Sequence, residues 1–411
     1  MCRPASAPTR REESVEVKHL LTVAILLVGG CSHIGDTKPD APTGAGDAAS
    51  ADAFAGLDRF IQAQMKSMKM PGLACCIVKN GRVAWAKGYG WANVQTKQRV
   101  TEDTLFTIAS VSKTVTGTAV MQLCERGAID LDGAVNDHLP FKVCHPKYPD
   151  VPITFRMLLT HTSGIQDSDA YREHYTLGRG GGDSPIALGD FLKMYLLPKG
   201  SVYDPEENFT AHKPGTRHEY SNVGYALLGY LVETIAKMPF NEYCKTHIFA
   251  PLEMTRTGWF LSEIDTSKLA MPYRPRGRSY TPLGHYGFPT YPDGLLRTSV
   301  KEYARFILAY LNKGTFHGKT ILSPETVAEM LTPQIPQINE YQGITWVLGH
   351  RDGHDVAGNA GGDPGVRTGA CFLPEKGTGV VLFGNCHVDV DTARAWAAIA
   401  RKMIQCANAD R

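Results

Sequence analysis

The spacing of apolar residues predicts one amphipathic helix near each end of the folded region. Between residues 53 and 68, apolar side chains recur at the three- and four-residue intervals of a helix that buries one face, at Phe54, Leu57, Phe60 and Ile61. The same spacing runs through residues 391–404, at Ala393, Trp396, Ile399, Ala400 and Met403. Both helices therefore need another layer of the protein to cover their apolar faces.

Short apolar runs beside these helices predict the β-strands of that layer. Residues 73–78 and 83–85 flank Asn80-Gly81, which favours a two-residue hairpin because both turn residues tolerate a positive φ. Residues 369–373 and 378–383 form a second pair of strands. We therefore expect an antiparallel sheet that is built from both ends of the chain and flanked by helices.

The middle of the chain, residues 115–331, is predicted to form a mostly helical lobe with long Gly- and Pro-rich loops. Together with the sheet, this lobe gives a mixed α/β (α+β) fold. The functional site is expected to lie between the sheet and the lobe.

The N-terminal residues predict an exported and lipid-anchored protein. Residues 20–28 are apolar apart from Thr22. This run is too short to cross a bilayer, which needs about 20 helical residues, but it matches the apolar part of a secretory signal. Val28-Gly29-Gly30-Cys31 is similar to a bacterial lipobox, so we expect residues 1–31 to be a signal peptide and Cys31 to be lipidated. The alternative is an ordinary signal peptide that contains a cysteine by chance.

The residues after Cys31 predict a tether and then a folded domain. Residues 32–51 are rich in Gly, Ala, Asp, Pro and Thr, which is typical of a flexible linker, and residues 52–408 are predicted to form the domain. We expect the protein in the periplasm or cell envelope, in contact with a membrane only through its lipid. Glu12, Glu13 and Glu16 are unusual in a signal peptide, and a true start at Val15 or Val17 would explain them.

Charge and cysteine spacing narrow the classes of ligand. The formal net charge is +2, which gives no electrostatic basis for binding nucleic acid. The ten cysteines show none of the Cys or Cys/His spacings of a zinc site, and most lie in apolar runs, as small core residues do. We therefore expect no metal and no cofactor, and a small molecule or peptide as the substrate.

Ser110 and Lys113 are the first candidate catalytic residues. They lie three positions apart, after an extended segment and at the start of an apolar helix over residues 114–124. This spacing places both side chains on one helical face, so a lysine whose pKa is lowered by burial could take the serine proton. The helix start also directs backbone N–H groups at a developing oxyanion.

Tyr220-Ser221-Asn222 is the second candidate element. It precedes a predicted helix over residues 225–236, where a side chain can project into a cleft. We expect a nearby lysine ammonium to lower the pKa of the Tyr220 phenol below its usual value of about 10, so that it exchanges protons near neutrality. Asn222 could orient Lys113 and hold a substrate carbonyl. The alternative is a simple helix cap at Ser221 or Asn222.

Together these motifs resemble the serine β-lactamase/penicillin-binding hydrolases, particularly the class C β-lactamase-like branch, which also contains esterases and D-aminopeptidases. The matching segments are Phe106-Thr107-Ile108-Ala109-Ser110-Val111-Ser112-Lys113, Leu158-Leu159-Thr160-His161-Thr162-Ser163-Gly164, residues 214–229 and Ala250-Pro251-Leu252-Glu253-Met254. The resemblance covers residues 57–405. It implies a β-lactamase/transpeptidase-like fold and acyl transfer by Ser110, Lys113 and Tyr220.

The resemblance also implies a third motif, in which the branch carries Lys-Thr-Gly or His-x-Gly on a strand beside the site. The matching residues are Asn359-Ala360-Gly361, so a neutral amide replaces a cation that would attract a substrate carboxylate. His354 is about 16 Å away along a strand, and we expect Arg367 to supply part of the missing charge. By resemblance, the oxyanion hole is formed by the backbone N–H groups of Ser110 and Gly362.

The sequence therefore predicts a serine hydrolase that forms an acyl-enzyme with an ester, a β-lactam or a D-amino-acid amide. The neutral Asn359 favours esters or small amides. A penicillin-recognising protein that binds cell-wall peptides without turnover is the alternative, although such a binder would not need all three catalytic residues. His161 is similar to a triad partner, but the resemblance makes it a structural residue.

Overall fold

The computed structural model describes residues 48–408 apart from 278, 352, 388 and 389. The predicted signal peptide, the lipidation site Cys31 and the tether up to residue 47 lie outside the described residues. In the described part of the chain, no helix is both long and apolar enough to cross a membrane.

A seven-stranded antiparallel sheet forms the centre of the fold. The strands of the chain are β1 (Gly72–Lys79), β2 (Arg82–Asn93), β3 (Gln98–Arg99), β4 (Phe106–Thr107), β5 (Tyr273–Arg276), β6 (Ser279–Pro282), β7 (Arg297–Thr298), β8 (Thr315–Phe316), β9 (Lys319–Thr320), β10 (Val347–Arg351), β11 (His354–Asp363), β12 (Val366–Leu373) and β13 (Thr378–Gly384). The sheet has the order β10-β11-β12-β13-β1-β2-β3. Because β1 pairs with β13, from Leu73 opposite Gly384 to Lys79 opposite Thr378, the predicted sheet from both chain ends is confirmed.

The helices lie on both sides of this sheet, and most of them belong to the central lobe. They are α1 (Ala48–Ser67), α2 (Lys113–Glu125), α3 (Phe155–Leu159), α4 (Asp169–Glu173), α5 (Leu188–Leu196), α6 (Asn222–Ala236), α7 (Phe240–Cys244), α8 (Val300–Leu311), α9 (Pro324–Met330) and α10 (Val390–Asn408). Three short two-stranded sheets accompany these helices, and they pair β4 with β7, β5 with β6 and β8 with β9.

The alternation of side chains along β1 explains which helices cover each face of the sheet. Cys75 and Ile77 belong to an apolar cluster with α1 and α10, in which Trp396 is fully buried. Cys76 and Val78 point the other way, into the larger core shared with α8 and the central lobe. α2 is buried from Lys113 to Leu123. Its buried threonines, Thr114, Thr116 and Thr118, donate their hydroxyls to main-chain oxygens.

Several element bounds differ from the predictions. α1 begins at Ala48 instead of residue 53, because residues 48–52 are rich in alanine, which favours helix. β2 continues to Asn93, since it pairs with β1 as far as Gly90 and then with β3. α6 begins at Asn222, directly after Ser221, whose Oγ accepts the N–H of Gly224 at 2.9 Å and caps the helix.

Several described cysteines are buried thiols, among them Cys75, Cys76, Cys244 and Cys371. Burial raises the pKa of each of these thiols. A thiolate nucleophile needs the opposite environment, so these cysteines act as core residues.

Candidate active site

Ser110 lies where the sheet meets the central lobe. It belongs to a 3₁₀ turn, Ala109–Ser112, that leads directly into α2. The preceding residue, Ala109, has a φ of 47°, a left-handed conformation that costs a non-glycine residue about 1 kcal/mol. β11 packs on this turn so closely that a Cβ on Gly361 would be 2.6 Å from the carbonyl oxygen of Ile108. The strained backbone at the nucleophile is thus held by the sheet on one side and by α2 on the other.

Lys113 is buried, and its amine donates three hydrogen bonds. The acceptors are Ser110 Oγ at 3.1 Å, Asn222 Oδ1 at 2.6 Å and the main-chain oxygen of Asp293 at 2.7 Å. Burial lowers the pKa of Lys113 to about 8, against the opposing effect of three carboxylates, of which that of Asp293 is strongest. An amine in this state can act as a base near neutral pH.

Tyr220 reaches the same oxygen from the segment just before α6. Its hydroxyl donates to Ser110 Oγ at 2.7 Å, while the next residue, Ser221, caps the helix. The two interpretations of the Tyr220-Ser221-Asn222 motif therefore hold together, because one residue faces the nucleophile and its neighbour begins the helix. The Tyr220 ring lies 4.4 Å from the ring of His161.

The expected lowering of the Tyr220 pKa is wrong. Burial raises the pKa of the phenol well above its usual range, and the carboxylates of Asp293 and Asp167 act in the same direction. The hydrogen bond with Ser110 opposes this effect but does not overcome it. Tyr220 is therefore a neutral hydroxyl that donates and relays a proton, and the amine of Lys113 is the better base.

Asn222 is held by Asp167, a residue that the sequence analysis did not identify. Asp167 accepts the Nδ2 of Asn222 at 2.7 Å and the backbone N–H groups of Asn222 and Val223 at 2.9 and 3.1 Å. The start of a helix is a favourable place for a carboxylate. This fixes the amide so that its oxygen faces Lys113.

His161 has a supporting position. Its Nδ1 accepts the backbone N–H of Ser221 at 3.1 Å, whereas Ser110 Oγ is bonded by Lys113 and Tyr220. Burial lowers the pKa of His161 well below its usual range, so the ring is neutral. It packs beneath Tyr220 as part of the site's wall.

The predicted third motif lies on β11 beside the nucleophile turn. Asn359 and Gly361 share one face of the strand, and the Nδ2 of Asn359 donates to the main-chain oxygen of Thr345 at 3.1 Å. Thr368 lies opposite Gly361 on β12 and donates to the oxygen of Ile108 at 2.6 Å. Thr368 therefore faces the site, although the sequence did not single it out.

Arg367 does not fit the role expected for it. It is adjacent to Thr368 on β12 and opposite Gly362 on β11, so the strand alternation directs its side chain to the other face of the sheet. Arg367 is also buried. The expectation that Arg367 replaces the third-motif charge is therefore wrong. The register of β11 and β12, which the sequence does not reveal, turns the Arg367 side chain away from Ser110. His354 lies at the far end of β11, as expected.

In the described ranges, no group of three or more His, Cys, Asp or Glu side chains has the geometry of a metal site. The site itself combines a serine, a lysine with a lowered pKa, a neutral phenol and an oriented amide. This set can remove the proton of Ser110, and return a proton to a leaving group.

Comparisons with known proteins agree with this geometry. The Beta-lactamase family model matches residues 57–403. Protein flp of Staphylococcus aureus (strain MW2) is 28% identical over 267 residues, which are 64% of this chain and 49% of flp. The chain thus spans about half the length of the flp proteins that it matches.

Two solved structures are similar over most of the chain. The octameric penicillin-binding protein homologue from Pyrococcus abyssi is 29% identical, with a TM-score of 0.69 over 84% of this chain and 76% of that one. A class C beta lactamase from Rhodobacter sphaeroides is 21% identical, with a TM-score of 0.64 over 87% and 99%. The second similarity concerns the fold alone. The family match over residues 57–403, on a chain whose Ser110, Lys113 and Tyr220 meet at one oxygen, shows that this protein belongs to the Beta-lactamase family of serine hydrolases and penicillin-binding proteins.

Proposed function

We propose that the protein hydrolyses esters or small amides through an acyl-enzyme on Ser110, and that its preferred substrates carry no carboxylate beside the scissile carbonyl. The observation that supports this most directly is the pair of hydrogen bonds to Ser110 Oγ, from Lys113 at 3.1 Å and from Tyr220 at 2.7 Å. A serine with two such partners is activated as a nucleophile.

Acylation begins with the free amine of Lys113. With a pKa of about 8, about a tenth of the molecules carry this free base at pH 7. The amine takes the proton of Ser110 as Oγ attacks the carbonyl carbon. The Tyr220 hydroxyl gives its proton to the leaving oxygen or nitrogen and regains one from Lys113, so the alcohol or amine departs neutral.

Deacylation uses the same groups in the reverse direction. Lys113 and Tyr220 take the proton of a water molecule, which attacks the acyl carbon and releases the acid while Ser110 regains its proton. Asn222 keeps the amine aligned in both steps, because its oxygen accepts from Lys113 while Asp167 holds its nitrogen. The backbone N–H groups of Ser110 and Gly362 remain the proposed oxyanion donors.

The substrate preference follows from the charges around the site. Asn359 is neutral where a cation would attract a carboxylate, and its amide already donates to Thr345. An anionic substrate group therefore lacks one charge-assisted contact at this strand.

A turnover panel tests this proposal. We expect nitrophenyl esters and small anilides to be hydrolysed at least tenfold faster, in kcat/KM, than nitrocefin or peptides ending in D-Ala. Ser110→Ala should lose every activity, and Ser112→Ala is the matched control because Ser112 Oγ accepts the N–H of Leu296, away from the amine of Lys113. Turnover that survives in Ser110→Ala would exclude the proposal.

The same panel separates hydrolysis from binding without turnover. A fluorescent penicillin that labels Ser110 should be released with time if the acyl-enzyme is hydrolysed. A label that stays on the wild-type protein, combined with no turnover of any ester, would support a peptide-binding function instead.

The cellular location remains a proposal based on the sequence. We propose that export ends with cleavage before Cys31 and acylation of that cysteine. Intact-mass measurement of the membrane-extracted protein tests it, and a mature N-terminus elsewhere or an unmodified Cys31 would contradict lipidation.

A further inference from the structure

An open cavity lies in the helical lobe, away from the catalytic residues. It has a volume of about 360 Å³ and is bordered by α5, α6, the start of α7 and the 3₁₀ turn Tyr291–Asp293. This volume is in the range of small-molecule sites. Glu233, which borders the cavity, follows Asn222 on α6 by eleven residues, and eleven helical residues span about 16 Å. The cavity is therefore separate from the site at Ser110.

Three aromatic rings line this cavity, those of Tyr230, Phe260 and Tyr291, which we call the aromatic wall. The ring centroids of Phe260 and Tyr291 are 4.7 Å apart and their planes meet at 51°, so the two rings form a corner. Tyr230 and Phe260 are half-buried, so their rings remain partly accessible. The face of such a ring attracts a cation that lies within about 6 Å of its centroid.

Two contacts hold the Tyr230 ring in place. The ring stacks on that of Phe141, with centroids 5.7 Å apart and planes 18° from parallel. Gly189, at the start of α5, lies so close that a Cβ on it would be 2.5 Å from Cε2 of Tyr230. The glycine thus lets α5 approach the ring, and the aromatic wall is formed before any ligand binds.

The carboxylate of Glu233 lies beside the aromatic wall. Its Oε1 accepts both the hydroxyl of Tyr291 at 3.1 Å and the backbone N–H of Phe240 at 3.0 Å. Lys193 also borders the cavity, but it pairs with Asp190 at 3.2 Å. Within the part of the chain that the structure describes, Glu233 has no basic partner.

A carboxylate that is largely removed from water usually has a cationic partner, because its lost hydration is costly. Burial raises the pKa of the Glu233 carboxyl, and the hydrogen bonds from Phe240 and Tyr291 lower it in part. A cation from outside the chain would supply the partner that Glu233 lacks. The rings beside it would contact the apolar part of such a ligand.

We propose that this cavity binds a small organic ammonium ion, with its positive charge at Glu233 and its carbon groups against the aromatic wall. An uncharged ligand of the same shape lacks the attraction to both the carboxylate and the ring faces. The site needs no contact with Ser110, so the inference stands apart from the proposed hydrolysis.

Saturation-transfer NMR on the full chain at about pH 8 measures the binding of three probes. Choline carries a quaternary ammonium, 3,3-dimethylbutan-1-ol is its uncharged carbon isostere, and ethanolamine carries a primary ammonium. Choline and the alcohol isolate the effect of the charge. Choline and ethanolamine show which kind of ammonium the cavity prefers, and preference for either one supports the proposal.

The variants locate the binding. Glu233→Gln removes the charge but keeps an oxygen that can accept from Tyr291 and Phe240. Phe260→Leu removes one ring of the aromatic wall and keeps the test available if Glu233→Gln does not fold. Glu242→Gln is the matched control, because it neutralises a neighbouring acid that pairs with Lys245 at 3.9 Å. Thermal denaturation checks each variant.

We expect choline to bind saturably, with a Kd of about 10 mM or lower. The alcohol and Glu233→Gln should each weaken binding about tenfold, Phe260→Leu about threefold, and Glu242→Gln less than about twofold. Equal binding of choline and the alcohol would show an apolar cavity only. That result, wild-type affinity in both Glu233→Gln and Phe260→Leu, or no saturable binding of either ammonium would overturn the proposal and leave the hydrolase unaffected.

Discussion

Two regions of the site meet at Gly361 but differ in how far they retain the family's motifs. In the nucleophile corner, made of Ser110, Lys113, Tyr220 and Asn222, hydrogen bonds join Lys113 to Ser110 and Asn222, and Tyr220 to Ser110. The recognition edge, made of Asn359, Gly361, Gly362 and Arg367, has the backbone of the third motif without its cation. Asn359 is neutral, and Arg367 points to the opposite face of the sheet.

The difference shows which parts of the site the chemistry constrains. The corner depends on distances of about 3 Å between four polar atoms, so the loss of any one of them should slow proton transfer strongly. The edge contributes an attraction between charges, whose loss reduces the affinity for one class of substrate and leaves the reaction possible. A hydrolase of esters or small amides can therefore lack the cation, although it needs the corner intact.

The largest effect is expected in the corner, for Lys113→Ala. Without the base, kcat/KM for a nitrophenyl ester should fall by at least about a hundredfold. The decrease in rate below about pH 8 should also disappear, because it reports the protonation of this amine. Steady-state kinetics between pH 6 and 9 measure both effects. Lys245→Ala, at an exposed lysine, is the control and should retain the wild-type profile.

Tyr220→Phe is expected to lower kcat by about a hundredfold while the pH profile keeps its shape. The substitution removes only the hydroxyl that donates to Ser110, and the base remains. Tyr303→Phe is the matched control, because Tyr303 is buried and its hydroxyl pairs with Thr114 and not with Ser110. If Tyr220→Phe has the full wild-type rate, the residue is only part of the helix cap.

At the recognition edge, Asn359→Lys should raise kcat/KM for penicillins relative to neutral esters by about tenfold, the effect of one charge-assisted contact of roughly 1.4 kcal/mol. The gain should shrink in high salt, because it is electrostatic. Asn359→Gln, which adds length without charge, should leave the ratio unchanged. An unchanged ratio in Asn359→Lys would place the anion-binding group elsewhere.

The smallest effect is expected for Arg367→Ala. Because this side chain is on the far face of β12, the penicillin-to-ester ratio should change by less than about twofold, although the loss of a buried arginine should lower the melting temperature. Competition assays with both substrates measure the ratio. A change as large as that of Asn359→Lys would show that Arg367 does reach the substrate.

The same two regions show how far sequence analysis could go. Local patterns predicted the α1 and α10 helices and the β1–β2 hairpin, because a helical or strand period repeats within each segment. The Ser110–Lys113 spacing predicted the contact between these two side chains for the same reason, since a separation of three positions on a helix fixes the distance between them. Tyr220 and Asn222 needed the family resemblance, because they lie at the start of a separate helix, far from Ser110 in the sequence.

Other features depend on contacts between distant parts of the chain. Asp167 and Asp293 lie in loops with no periodic pattern, and only the fold brings them to Asn222 and Lys113. The orientation of Arg367 depends on the register of β11 and β12, in which a shift by one residue exchanges the two faces. The Tyr220 pKa was mispredicted because burial and the carboxylates outweigh the lysine charge.

The central claim is that Ser110 is the nucleophile of the corner, and peptide mapping after fluorophosphonate labelling tests it most directly. We expect one label, on the peptide that contains Ser110, with full labelling in Ser112→Ala and none in Ser110→Ala. A label on another residue, or labelling that persists in a folded Ser110→Ala variant, would contradict the account.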